Sequence, residues 1–284
     1  MRTEQRAPLS APVRELLRTL APTSAIALLA LLYACAVWLP AHPLASLALA
    51  YGCCATATCV AAWVASRARE TPTIAHTGIG ILAAILLAIA GFVLSPNLDP
   101  WAAFASSAAV LLLGSTVGVA VGSRVPAASH LLVVALLSSA VDLWSALSPE
   151  GPTHALATTP DPRWLRVLAV SAAVDAQRHI EPMLGVGDGI FAGLYLAAAV
   201  KHRLSIARMS LAVWLGLIAA GAAVLLLRRP LPALPFVGFF VVIFHAEVRR
   251  VAREDRRATT VAWLALVAAI VRVAMRSVTG VDAG

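Results

Sequence analysis

The stretch Ser129–Leu147, SHLLVVALLSSAVDLWSAL, has the length and apolar character of a membrane-spanning helix, yet it contains a carboxylate at Asp142. About 20 predominantly apolar residues are enough to cross a bilayer as a helix. An aspartate in hydrocarbon costs about 3 kcal/mol on insertion scales, and such residues mark functional sites. The stretch therefore predicts the fold class, a bundle of membrane helices, and the first residue of a candidate site.

The composition of the whole chain also favours a membrane bundle. Of 284 residues, 60% are hydrophobic and 13% are charged, whereas a soluble domain has about 25% charged residues. Apolar runs bounded by proline, glycine and charge predict an all-α, polytopic bundle of about nine transmembrane helices. The nine predicted spans are Thr23–Leu39, Pro43–Ala65, Ile74–Leu94, Trp101–Gly122, Ser129–Leu147, Met183–Val200, Ile206–Leu227, Leu231–Ala246 and Ala258–Val278.

The spans divide the chain into four segments. The segments are a basic N-terminal segment at 1–22, a four-helix membrane region at 23–128, the core that carries the candidate site at 129–247, and a basic loop with a last helix at 248–284. The core includes a long loop at 148–182. Within that loop Trp164–Val174 is apolar but too short to span, so an interfacial or re-entrant helix is predicted there. Arg272 and Arg276 interrupt the last span. Either these side chains snorkel to the membrane surface, or the whole helix lies at the interface.

The charge pattern orients the bundle. The chain carries 22 Lys and Arg residues against 14 Asp and Glu residues, a net charge of +8. Most of the basic residues fall in alternate loops, which by the positive-inside rule predicts a cytoplasmic N-terminus and an outward-facing long loop. All of the basic residues except Lys201 are arginine. That bias points to a GC-rich genome, so we expect a multi-pass protein of a prokaryotic plasma membrane.

Asp188 is the second carboxylate inside an apolar run. It lies about five residues after the start of its predicted span, and Asp142 lies about five residues before the end of its own span. The first span leaves the membrane through the face by which the second enters. At 1.5 Å per residue, both aspartates are therefore expected about 7 to 8 Å below that face. Two carboxylates at matched depth on consecutive antiparallel helices are in a position to meet. The small residues of Gly185–Val186–Gly187–Asp188–Gly189 allow another backbone to approach closely.

A proline-rich segment, Leu231–Pro232–Ala233–Leu234–Pro235, opens the eighth predicted span on the same membrane face. Its two prolines cannot donate backbone hydrogen bonds, so irregular backbone is predicted ahead of the helix. Irregular backbone is tolerated at membrane depth only where it lines a protein or water cavity. The segment is therefore predicted to line a cavity on the face that holds both aspartates.

The three elements, in this order, resemble the presenilin and signal peptide peptidase family of intramembrane aspartyl proteases. That family shares an Asp in one helix, a GxGD motif in the next and a PAL motif beyond it. The matching residues here are Asp142, Gly185–Val186–Gly187–Asp188 and Pro232–Ala233–Leu234–Pro235. The resemblance covers roughly Leu131 to Phe244. This chain departs from the family at Val141, where the family usually has Tyr, and in having four predicted helices ahead of the Asp142 helix, where the family typically has five.

The resemblance implies an intramembrane aspartyl endopeptidase that cuts within transmembrane helices or signal-peptide remnants. Asp142 and Asp188 would be the catalytic residues and would share one proton, so that one carboxylate activates a water and the other donates a hydrogen bond to the peptide carbonyl. Which aspartate takes which part stays open. The substrate would unwind locally and be held as an extended strand. By resemblance, the substrate-binding residues are Gly185, Val186, Gly187, Pro232, Ala233, Leu234 and Pro235.

Two other interpretations remain open. Paired intramembrane carboxylates also occur in ion- or proton-coupled transporters, although that class leaves the prolines unexplained. A catalytically silent relative would bind membrane helices without cutting them.

The expected partners are the lipid bilayer and a transmembrane-helix protein or peptide substrate. Nucleic acid is not an expected partner, because no basic stripe alternates with stacking aromatics. No metal or organic cofactor is indicated, because the four cysteines have no His or carboxylate at ligand spacing and are expected to be small buried side chains. His130 lies about 18 Å from Asp142 at helical rise and is not expected to be catalytic.

Overall fold

The computed structural model describes residues 43–68, 74–93, 100–158, 165, 167–174, 180–229, 231–253 and 255–279. Within these ranges the chain forms eight helices of 11 residues or more, one helix of 7 residues and a two-stranded hairpin. The predicted mostly helical bundle is confirmed, but the predicted count of nine spanning helices is not. The first predicted span, Thr23–Leu39, lies outside the described residues.

The first three described helices follow the predicted spans closely. They are α1 (Pro43–Ala68), α2 (Ile74–Val93) and α3 (Pro100–Gly122). Proline is the first residue of α1 and of α3. Proline is favoured there because a backbone N–H at the first helical position would have no partner within the helix. The α1 cysteines Cys54 and Cys59 are buried, as predicted for small core side chains.

The predicted long loop contains a short helix and a hairpin. It follows α4 (His130–Leu147) and holds α5 (Pro152–Thr158), β1 (Ala169–Ala173) and β2 (Ile180–Gly185), with β1 and β2 antiparallel. The predicted interfacial or re-entrant helix at Trp164–Val174 is therefore wrong over β1. The backbone of β1 finds its hydrogen-bond partners in β2, a tertiary contact that overrides the helix propensity of its alanines.

Helix α6 (Val186–Lys201) starts later than predicted. The predicted span begins at Met183, but Met183 and the next two residues belong to β2. As a correction, Asp188 therefore lies in the first turn of its helix and not about five residues inside it. The strand pairing places the start of α6 directly at the end of the hairpin.

The first and last residues of the last three helices lie within three residues of their predicted bounds. These helices are α7 (Ile206–Leu227), α8 (Leu234–Phe244) and α9 (Arg256–Thr279). Residues 231–233 are irregular ahead of α8, as the prolines predicted. Among the described residues, four stretches are long and apolar enough to cross a membrane: Leu44–Arg67, Ala103–Gly122, His130–Leu156 and Ile206–Leu227.

The packing of the helices brings separate parts of the chain to the candidate site. The Asp142 helix, α4, packs against α8 and α9, whereas the Asp188 helix, α6, packs against α1, α3 and α7. Helix α8 packs against both α4 and α7. It therefore links the half of the bundle that carries Asp142 to the half that carries Asp188.

Three glycines of α3 set its distance from α6. A Cβ added at Gly114 would lie 2.8 Å from the carbonyl carbon of Gly189, and one at Gly118 would lie 2.9 Å from the Cα of Gly193. A Cβ at Gly122 would also overlap the backbone of α6. Small residues at four-residue spacing let two helix backbones touch. The position of α6, and so of Asp188, depends on this backbone contact with α3.

Polar contacts hold α9 against α4 at both ends. At one end the Asp255 carboxylate accepts hydrogen bonds from His130 at 2.9 Å and from Ser129 at 3.1 Å. The bond from His130, and then that from Ser129, holds the pKa of the Asp255 carboxyl below its usual value. At the other end Arg272 pairs with Glu150 at 3.3 Å. Arg272, which interrupts the predicted span, thus has an acidic partner beyond the end of α4.

Candidate active site

The Asp142 carboxylate contacts the start of α8. Its Oδ2 accepts a hydrogen bond from the N–H of Leu234 at 2.9 Å. Asp142 also faces the N-terminal end of α8, where the helix dipole is positive. Two of the motifs singled out in the sequence are therefore in direct contact.

The two prolines help to explain why Asp142 bonds to Leu234. The start of a helix leaves its first N–H groups without intrahelical partners, but Pro232 and Pro235 have no N–H to offer. The N–H groups of Phe236 and Val237 both bond to the carbonyl oxygen of Ala233 at 3.1 Å. Among residues 232–237, this leaves the N–H groups of positions 233 and 234, and Asp142 accepts that of Leu234.

Ser139, one turn before Asp142, makes a further contact with α8. Its hydroxyl lies 2.6 Å from the carbonyl oxygen of Ala135 and 3.4 Å from that of Leu234. A Cβ added at Gly238 would lie 3.3 Å from the Ser139 hydroxyl oxygen. The close approach of α4 and α8 therefore keeps the 232–235 segment against the face of α4 that carries Asp142.

Asp188 caps its own helix. Its Oδ2 accepts a hydrogen bond from the N–H of Gly185 at 2.9 Å, and its side chain remains partly exposed. A carboxylate at the third position of a helix commonly bonds to the backbone N–H of the cap residue in this way. Gly185 has no side chain to return a second bond, so the cap uses the carboxylate alone.

The two carboxylates interact electrostatically. The Asp142 carboxyl lies close enough to that of Asp188 for its charge to act on it. Charge on either aspartate also acts on the phenol of Tyr51, whose ring lies against Gly221 of α7. The structure thus brings both predicted catalytic residues into one region, beside a tyrosine of α1.

Open space surrounds part of the GxGD motif. A Cβ added at Gly187 would meet no atom within 4 Å, and one at Gly185 would meet only the Asp188 carboxylate, at 3.7 Å. Val186 is partly buried, and its N–H donates to the carbonyl oxygen of Leu168 at 2.9 Å. The close backbone contacts of α6 therefore involve Gly189 and Gly193, while the side of Gly187 is free of contacts within the described chain.

The hairpin is tied to α3 by one hydroxyl group. Ser171 pairs with Pro182, which has no N–H to donate. The fully buried Ser107 hydroxyl accepts from the N–H of Ser171 at 2.9 Å and lies 3.3 Å from its carbonyl oxygen. Because β2 leads directly into α6, this contact helps to fix the backbone ahead of Asp188.

We expect Ser107→Ala to loosen the hairpin. The substitution removes the buried hydroxyl that bonds to the N–H and to the carbonyl oxygen of Ser171, at a cost of about 1–3 kcal/mol. Amide hydrogen exchange in β1 and β2 should become faster. Ser115→Ala is the matched control, because the Ser115 hydroxyl bonds to Leu112 within the same helix. Unchanged exchange in the hairpin of Ser107→Ala would contradict this role.

Sequence reasoning missed four kinds of contact at this site. Tyr51 carries no sequence signal, because it lies in a different helix from every motif. Ser107 and Ser139 are ordinary serines in apolar helices and gave no signal either. The α3 glycines, at positions 114, 118 and 122, do follow a recognisable four-residue spacing. Among the described residues, no group of three or more His, Cys, Asp or Glu side chains is close enough to hold a metal ion.

Comparisons with protein-family models, with curated proteins and with solved structures find no match to this chain.

Proposed function

We propose that this chain is an intramembrane aspartyl endopeptidase that hydrolyses peptide bonds within transmembrane helices or signal-peptide remnants. The observation that carries the proposal is the hydrogen bond from the N–H of Leu234 to the Asp142 carboxylate, combined with the action of the Asp142 charge on Asp188. The resemblance of the three motifs to the presenilin and signal peptide peptidase family supports the same activity. The chain would lie in a prokaryotic plasma membrane as a multi-pass protein with a cytoplasmic N-terminus.

The proposed reaction needs two carboxyls with one proton between them. One carboxylate removes a proton from water, whose oxygen attacks the peptide carbonyl carbon, while the other carboxyl gives its proton to the carbonyl oxygen. The tetrahedral intermediate collapses as the C–N bond breaks, and the amide nitrogen takes the proton that came from water. The second carboxyl regains a proton from the intermediate, so the dyad ends with the one proton it began with.

The open side of Gly187 gives an unwound substrate access to Asp188. A peptide bond within a helix is shielded by its own turns, so the substrate must become extended before water can attack. An extended segment has backbone N–H and C=O groups that need partners in an apolar setting. Among the described residues, the hairpin ahead of Asp188 is extended and residues 231–233 ahead of α8 are irregular, and we propose that free backbone groups of these stretches supply such partners.

The experiment is a cleavage assay with the full chain in detergent and a synthetic transmembrane peptide. In oxygen-18-labelled water, we expect two product peptides, with one labelled oxygen in the new C-terminal carboxylate. An intact peptide, together with aspartate-dependent ion flux in liposomes, would contradict the proposal and favour a transporter. An intact peptide that co-purifies with the chain would contradict it in favour of a silent helix-binding protein.

A further inference from the structure

We infer that His245 forms a proton-sensitive contact that holds the C-terminal end of α8 against α4, and that protonation of its imidazole releases this end. The inference goes beyond the proposed function and does not depend on it. Helix α8 follows residues 231–233 and links the two halves of the bundle. Its release at one end therefore changes an element of the candidate site.

His245 is a buried histidine with no partner at one ring nitrogen. Only 2% of the residue is exposed, which places it among the largest fully buried side chains of the described chain. Its Nε2 is enclosed and has no hydrogen-bond partner among the described residues. A buried polar atom without a partner costs about 1–3 kcal/mol, which an apolar side chain would not. Such an atom calls for a functional explanation.

Helices α8 and α4 run antiparallel along one contact face. The carbonyl oxygen of Leu234 lies beside the hydroxyl of Ser139. One turn later in α8, a Cβ added at Gly238 would lie 3.2 Å from the Cβ of Ala135, which is one turn earlier in α4. The C-terminal end of α8 therefore lies near the N-terminal end of α4.

His245 continues this contact face beyond the last residue of α8. Val241 is fully buried, and His245 follows it by four residues, which is one helical turn. The backbone N–H of His245 still donates to the carbonyl oxygen of Val241, at 3.2 Å. In the antiparallel pair this position lies beside the start of α4, where Ser129 precedes the helix. The positive end of the α4 dipole is on this side.

Charged groups from the neighbouring elements surround this position. Arg208 of α7 and Glu247, which follows α8, lie close enough for their charges to act on His245, in opposite directions. On α4, His130 bonds to the Asp255 carboxylate at 2.9 Å, so that carboxylate is already engaged. A proton on His245 would meet the positive end of α4 and the Arg208 guanidinium, and only the exposed Glu247 would oppose them.

These surroundings favour a neutral imidazole while α8 is docked. A buried cation without a partner is costly, whereas an imidazole in water takes up a proton below about pH 6.5. The released end of α8 therefore binds a proton more readily than the docked end. Docking has its full stability above about pH 6.5 and weakens as the pH falls below that value.

Amide hydrogen exchange of the full chain in detergent tests the inference. The N–H groups to follow are those of His245 and Val248, which bond to the carbonyl oxygens of Val241 and His245. Protection factors, which correct for the intrinsic pH dependence of exchange, are compared above and below about pH 6.5. We expect them to fall with decreasing pH by up to about tenfold per pH unit, the limit for one proton.

Two variants identify the titrating group. His245→Leu has an apolar side chain that does not titrate, so its protection factors should stay constant over this range. His154→Gln is the matched control, because His154 is a partly buried histidine of α5, outside the contact between α4 and α8. That variant should keep the wild-type response.

Protection factors of the wild type that do not change with pH would overturn the inference, as would an unchanged response in His245→Leu. If His245→Leu does not fold, Asp255→Asn decides the matter. A response that persists in Asp255→Asn supports His245, and one that disappears belongs to Asp255 and overturns the inference. No cleavage is measured, so a result against His245 leaves the proposed function standing, and an inactive wild-type chain leaves this inference standing.

Discussion

Replacing either Asp142 or Asp188 by asparagine is expected to lower cleavage of a transmembrane peptide by about 10²–10⁴-fold, the usual contribution of a positioned acid or base. Asparagine has nearly the shape of aspartate and keeps an oxygen that accepts the N–H of Leu234 or of Gly185. Both helix caps therefore survive, and the melting temperature should stay close to that of the wild type. The proton transfer is lost because an amide neither removes a proton from water nor donates an acidic one.

The choice of asparagine separates chemistry from folding. Alanine at the same positions would remove the caps as well, at a cost of about 0.5–2 kcal/mol each. Glu247→Gln is the matched control, since Glu247 is an exposed carboxylate that follows α8 at the end away from Asp142. Full cleavage by either asparagine variant would contradict the catalytic assignment, and equal loss in Glu247→Gln would show a general charge effect.

Gly118→Ala is expected to give the largest loss of stability among single-methyl additions in the described helices. The new Cβ would overlap the carbonyl oxygen of Ile190 and lie 2.9 Å from the Cα of Gly193. These are backbone atoms, which have no rotamer to relieve the contact, so α6 must move as a unit. Overpacking of this kind costs about 1–3 kcal/mol, and here it also displaces Asp188. We expect a lower melting temperature in detergent together with loss of cleavage.

Gly78→Ala is the matched control for this prediction. A Cβ added at Gly78 in α2 meets no atom within 4 Å, and alanine is the better helix former by about 1 kcal/mol. That variant should be at least as stable as the wild type and should keep its activity. Equal stability of Gly118→Ala and Gly78→Ala would contradict the proposed backbone contact between α3 and α6.

The helices were largely predictable because each is specified by its own residues. α4 and α7 lie within a residue of their predicted bounds. The irregular start of α8 also followed from sequence, since proline lacks an N–H wherever it occurs. The start of α6 did not, because β2 takes up its first predicted residues through pairing with β1. A strand depends on a distant partner, and a single-sequence pattern does not reveal that partner.

Part of the site was likewise predictable from the sequence and part was not. Asp142, Asp188 and the 232–235 segment were recognisable because a carboxylate or a proline pair is anomalous in an apolar run. The contact between Asp142 and Leu234, 92 positions apart, and the proximity of Tyr51 were not.

The sequence by itself determined which segments are apolar helices and which residues interrupt them, because the hydrogen bonds of a helix are satisfied within the segment. Only the tertiary structure decided which amides meet which carboxylate, because those bonds join helices whose approach is set by glycines and serines on other elements. The spacing of Gly114, Gly118 and Gly122 places α6, and the packing of α8 against α4 places Ala233 and Leu234. The hydrogen bond between Leu234 and Asp142 is a product of that packing.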